Sequence, residues 1–164
     1  MKVDKILVPL DGSRLAEGAL GRAAEIAREN PRATLMLLRA AEAFTVPGSD
    51  VVEKQVLAVR EAEEYLDAVA ARLTRSGVLS VETAVWYGAA APAIIEAARV
   101  NKIDLIVMST HGRSGLGRLF LGSVAESVLR GTETPILLLR VDGAPVAKPE
   151  GAAAAREREL AGAR

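Results

Sequence analysis

The stretch from 105 to 125 is where this chain could do chemistry. It holds His111, Arg113 and Arg118 but no carboxylate, and it carries Gly112, Gly115, Gly117 and Gly122, followed by Ser123. Glycines let a backbone approach a ligand closely. Free N–H groups at a helix start, with the helix dipole behind them, favour negative charge. A glycine-rich, locally positive segment between a strand and a helix therefore suits an anion, with phosphate the obvious candidate. Two familiar phosphate patterns do not fit. Gly117 to Ser123 reads GRLFLGS, which has the glycines and serine of a Walker loop but no lysine. Gly115-x-Gly117 is followed by Phe120 where the third glycine of GxGxxG would stand.

Competing structural roles stay open for several of these residues. Ser123 and Glu126 have the spacing of a capping box, so the hydroxyl serves either the helix or a ligand. Asp11, followed by Gly12 and Ser13, is either a turn residue or a ligand contact. Arg113 and Arg118 face either phosphate or solvent. His111 is the only histidine, and without a second strong ligand it makes a poor metal site. No GxSxG elbow and no recognisable carboxylate pair accompany it, so no residue is assigned a catalytic role.

The elements that must position these groups alternate along the chain. Strands are predicted at Lys5 to Leu10, Thr34 to Ala40, Val81 to Tyr87, Asp104 to Thr110 and Pro135 to Val141. Between them, one helix places Ala16, Ala19, Leu20, Ala23 and Ala27 on one face and stops at Asn30-Pro31. After a loop over 41–50, Asp50 with Glu53 has capping-box spacing. The long helix that follows carries a stripe of Val52, Val56, Val59, Leu66, Val69 and Leu73, and Gly77 stops it. A third helix has Pro92 in its first turn and buries Ile94, Ile95 and Ala98; a fourth runs from Gly122 to Arg130. The βα alternation predicts one α/β domain, a doubly wound parallel sheet with helices on both faces. In such folds ligands bind at the carboxyl ends of strands, where strand order reverses.

Composition narrows the function classes. The 164 residues carry 21 basic and 21 acidic side chains, so no basic excess supports a nucleic-acid footprint. There is no cysteine, which removes disulfides, thiolate nucleophiles and Cys-ligated metals. Five aromatic residues (Phe44, Tyr65, Trp86, Tyr87 and Phe120) leave few stacking platforms and imply an aliphatic core. The apolar run Ile6 to Leu10 is too short for a signal peptide or membrane span, so a cytoplasmic domain is expected with no membrane partner. From Asp142 to Arg164 the chain turns to Ala, Gly, Pro and balanced charge, which predicts a disordered tail after a domain over 1–141.

Three separated segments, KILVPLDGS, DLIVMSTHGRSGLGRLFLGSVAESVL and TPILLLRV, resemble the universal stress protein family over residues 3 to 141. The resemblance implies an adenine nucleotide alpha hydrolase-like fold with five parallel strands in the order 3-2-1-4-5. The family's ATP-binding branch carries Gly-x2-Gly-x9-Gly-Ser/Thr. Gly112, Gly122 and Ser123 match it, while the first glycine falls on Ser109, where a serine would be strained if the position required a positive φ. By matching position, Pro9 and Asp11 would border the nucleoside, and Ala40 would offer its backbone to the adenine edge. Met108 and Ser109 would line the ribose side, and Gly112, Arg113, Gly122, Ser123 and Val124 would wrap the phosphates. A divalent cation such as Mg would be held through those phosphates. The implied function is an ATP-binding, nucleotide-dependent regulatory module of the stress response. Its partner is a second copy, forming a homodimer through Pro135 to Val141, which lies at a sheet edge in that order. Two alternatives remain: a dimeric interaction module independent of nucleotide, and a slow ATPase, for which His111 is the only nearby candidate base.

Overall fold

Short runs of β-branched and aliphatic residues form the strands, and the three central ones are buried because both of their faces find apolar cover. The computed structural model describes residues 2–41, 51–110 and 122–140. In chain order the elements are β1 (Lys5–Pro9), α1 (Arg14–Glu17), α2 (Leu20–Glu29), β2 (Thr34–Ala41), α3 (Val51–Arg75), β3 (Val81–Tyr87), α4 (Ala90–Val100), β4 (Leu105–Thr110), α5 (Ser123–Gly131) and β5 (Ile136–Arg140). All neighbouring strands pair in parallel, in the order β3-β2-β1-β4-β5. This is the doubly wound sheet that the resemblance implies, with strand order reversing between β1 and β4. Of the predicted loop over 41–50, Ala41 instead extends β2; the rest of it with Asp50 of the capping box, His111 and the glycine-rich segment to 121, Val141 and the tail over 142–164 all lie outside the described residues.

The core has two layers, one on each face of the sheet. On one face Ile6, Val8, Leu35, Leu37 and Val107 meet α2 and the lower half of α3 through Ala23, Ala27, Leu66, Val69 and Leu73. On the other, Leu7, Met36, Leu38, Ile106 and Met108 meet Ile94, Ala97 and Ala98 of α4 and Ala125 and Val128 of α5. Alternate strand residues thus feed opposite layers, and each fully buried Leu or Ile contributes about 1.5–3 kcal/mol. At the opposite end from the switch point, Asp104 Oδ2 accepts the backbone N–H groups of Asp4 and Lys5 at 2.9 and 2.8 Å, which fixes β1 against β4.

Two helices differ from expectation. The single helix predicted after β1 is split at Gly18 and Ala19. There Gly18 N donates to Leu15 O at 3.0 Å and Ala19 N to Ala16 O at 3.2 Å, a tighter turn than the α-helical pattern. Gly18 lowers the cost of the break, and the Leu15 carbonyl has a second donor, the Ser109 hydroxyl, at 2.6 Å. In α3 the predicted apolar stripe is buried only along its lower half. Val52 and Val56 are exposed, 67% and 53%, whereas Leu66 is fully buried. Length explains the difference: 25 helical residues span about 37 Å, while the eight residues of β2 span about 26 Å, so the first turns of α3 overrun the sheet.

Candidate functional site

The carboxyl ends of β1, β2 and β4 open into a cavity of about 310 Å³, the lower part of the size range for small-molecule sites. Eight of the ten residues singled out from the sequence line it: Pro9, Asp11, Ala40, Met108, Ser109, Gly122, Ser123 and Val124. The other two, Gly112 and Arg113, lie outside the described residues. Residues almost the full length of the domain apart meet here because β1 and β4 are adjacent in the sheet although α1, α2, β2, α3, β3 and α4 intervene in sequence.

Each wall is built by an identifiable local device. On the β1 side, Asp11 Oδ1 accepts the Ser13 backbone N–H at 2.8 Å, closing a tight turn in which Gly12 takes φ +85°. Ser13 then caps α1, its hydroxyl accepting from Ala16 N at 3.1 Å. Asp11 is exposed and is the one charged side chain among the described lining residues. Asp11 thus has the turn role and also lines the cavity.

On the opposite side α5 begins with Gly122 as its N-cap, and no side chain among the described residues caps it. The first intrahelical bond runs from Glu126 N to Gly122 O at 2.9 Å, so the amides of Ser123, Val124 and Ala125 have no intrahelical acceptor. The capping-box role for Ser123 does not occur. Ser123 is the first helical residue, not the cap, and Glu126 turns to Arg130, whose Nη2 lies 2.9 Å from its Oε1. The Ser123 hydroxyl is exposed and has no partner among the described residues. An uncapped helix start at a cavity is a positive pole suited to an anion.

Ser109 holds no strain. It sits in β4 opposite Leu139 in β5, and Lys102 is the one non-glycine residue with positive φ among the described residues. The position that the resemblance assigns to glycine thus accepts a side chain in extended backbone.

Behind the Asp11 turn, on the α3 side, the Arg39 guanidinium carbon stands 5.2 Å from the centre of the Tyr65 ring. Tyr65 donates its hydroxyl to Glu17 Oε1 at 3.0 Å, and Arg72 Nη2 lies 2.6 Å from Glu17 Oε2. Burial, then the bond to Glu17, raises the Tyr65 hydroxyl well above the ordinary tyrosine range.

A model of the universal stress protein family matches residues 2–140. The chain belongs to the universal stress protein family. A relative from Staphylococcus haemolyticus that carries the family name is 31% identical over 155 residues, covering 88% of this chain and 93% of its own. Among solved structures, a universal stress family protein from Burkholderia pseudomallei is 30% identical with a TM-score of 0.67, over 84% of this chain and 96% of that one. A universal stress protein solved in complex with cAMP is 25% identical with a TM-score of 0.67, over 85% and 98% of the two chains.

The universal stress protein cavity has walls that spacing did not reveal. Leu10, Ser13, Leu15, Ala16, Leu38, Ala90, Ile94 and Ala125 also line it. Ala90 and Ile94 are four residues apart on α4, one helical turn, which was a signal that could have placed them on one face. Among the described residues there is no group of three or more His, Asp or Glu that could hold a metal ion. No helix among them is long and apolar enough to cross a membrane.

Proposed function

We propose that this universal stress protein binds ATP in the cavity at the carboxyl ends of β1, β2 and β4 and acts as a nucleotide-dependent regulatory module in the stress response. The observation that carries the reading is the uncapped start of α5. The amides of Ser123, Val124 and Ala125 have no acceptor among the described residues, and these residues line a cavity whose other walls are mostly apolar. Apolar walls from Leu38, Ala40, Ala90 and Ile94 suit a flat base. The free Asp11 oxygen can accept from a ribose hydroxyl or a base amine, and Pro9 borders the same region. Ala40 offers backbone groups to the adenine edge, while Met108 and Ser109 border the ribose. Gly122, Ser123 and Val124 take the phosphates with Gly112 and Arg113, and a Mg ion rides on the phosphate oxygens. The family member solved with cAMP supports an adenine nucleotide as the ligand class.

We also propose a homodimer through β5, from Pro135 to Val141. In β5, Ile136, Leu137, Leu138 and Leu139 are only half-buried, and the strand lies at the sheet edge with one side unpaired among the described residues. The experiment for the nucleotide reading is to purify the protein natively, denature it and identify released nucleotide by chromatography. Stoichiometric adenine nucleotide supports the reading; protein without nucleotide that also gains none on incubation with ATP and Mg overturns it.

A further inference from the structure

α1 is a single turn of four residues with no buried side chain, too short to hold itself together. Yet Leu15 and Ala16 of this turn form one wall of the cavity. Ala16 packs against the core, and beyond that packing the wall is held by its tethers. One comes from α3, where Tyr65 and Arg72 grip Glu17 at 3.0 and 2.6 Å. Another comes from the opposite side: the Ser109 hydroxyl, at the end of β4, donates to Leu15 O at 2.6 Å across 94 residues of sequence.

The geometry at Leu15 makes this second tether specific. In a continuous helix Leu15 O would accept from Ala19 N, but Ala19 N turns to Ala16 O instead. The Leu15 carbonyl is left to Gly18 N and the Ser109 hydroxyl. A glycine at 109 has no hydroxyl to offer, and alanine none either. We propose that Ser109 is a positioning residue. Its hydroxyl fixes α1 on β4 and so holds the Leu15–Ala16 wall at the width the nucleotide needs, acting through Leu15 instead of through the ligand. The proposal rests on the nucleotide reading of the cavity. Its physical basis is preorganisation: a wall populated in the competent position only part of the time lowers apparent affinity by that fraction.

The test compares Ser109→Ala, Ser109→Gly and Ser109→Thr with the parent protein by amide hydrogen exchange without nucleotide and by calorimetric titration with ATP and Mg. In the alanine and glycine variants, exchange at Gly18 and Ala19 should quicken and ATP affinity should fall about three- to tenfold, the range expected for one lost hydrogen bond. Thr keeps the hydroxyl and should restore both. Unchanged exchange at Gly18 and Ala19 overturns the tether. Faster exchange with unchanged or tighter ATP binding overturns its role in the site. A parent protein that binds no nucleotide overturns the reading of the cavity and the ligand half of this proposal with it, while the exchange experiment, needing no nucleotide, still decides the tether by itself.

Discussion

Asp11 Oδ1 accepts the Ser13 N–H at 2.8 Å, which leaves Oδ2 of the same carboxylate without a partner among the described residues and at the edge of the cavity. One side chain thus shapes the turn and presents an anionic acceptor. The two roles separate by substitution. Asp11→Asn keeps a side-chain carbonyl for Ser13 and should leave the thermal midpoint nearly unchanged, while nucleotide affinity falls about tenfold through loss of the charged acceptor. Asp11→Ala should show the same loss of affinity together with a stability decrease of about 0.5 kcal/mol in urea denaturation.

Gly122 sits at φ −54°, ψ 148°, backbone that any residue can adopt. A side chain there should be tolerated by the fold but should fill the space before the α5 amides. Gly122→Val should therefore melt within a few degrees of the parent and lose ATP binding by at least about a hundredfold, beyond what a single lost hydrogen bond explains. Circular dichroism melts and calorimetry on the same preparation check both halves.

The raised Tyr65 hydroxyl makes a prediction in pH. A group held protonated in the folded state above its ordinary value near 10 stabilises the fold below that value, and the contribution falls away as pH rises beyond it. Tyr65→Phe keeps the ring under Arg39 but gives up the bond to Glu17. It should lower stability by about 1 kcal/mol at neutral pH. Urea titrations from pH 8 to 11 should show the parent losing its advantage above pH 10, with the two proteins converging.

The exposed edge of β5 predicts a dimer. Static light scattering at micromolar concentration should give twice the chain mass, with or without ATP. A monomeric mass across that range would contradict pairing through Pro135 to Val141.

Much of this was legible because it is written locally. Strand and helix alternation follows from hydrophobic period, and Asp104 to Thr110 reads as a covered central strand because its middle is apolar on both faces. The strand order came from the resemblance; periodicity alone does not choose among parallel topologies. What could not be read depends on partners distant in sequence. At the break around Gly18 the Leu15 carbonyl accepts from the Ser109 hydroxyl, a partner 94 residues away that nothing near α1 announces. Val52 and Val56 continue a regular stripe, but whether a stripe is buried depends on how far the sheet extends beneath it. In the site, the residues that follow strands were found because the fold class says where to look. Leu38 and Ile94 were missed because an apolar residue that packs the core and one that lines a cavity have the same sequence signature. Ser123 was open between two roles until the helix start was fixed at Gly122, one residue earlier than a serine cap requires.

Everything proposed for the cavity between Asp11 and the start of α5 turns on whether it takes an adenine nucleotide. Calorimetric titration of nucleotide-free protein with ATP and Mg tests it most directly. The expected result is saturable one-site binding with a micromolar Kd, weakened by Asp11→Asn and abolished by Gly122→Val. No binding heat up to millimolar ATP, in protein that is folded by circular dichroism, would contradict it.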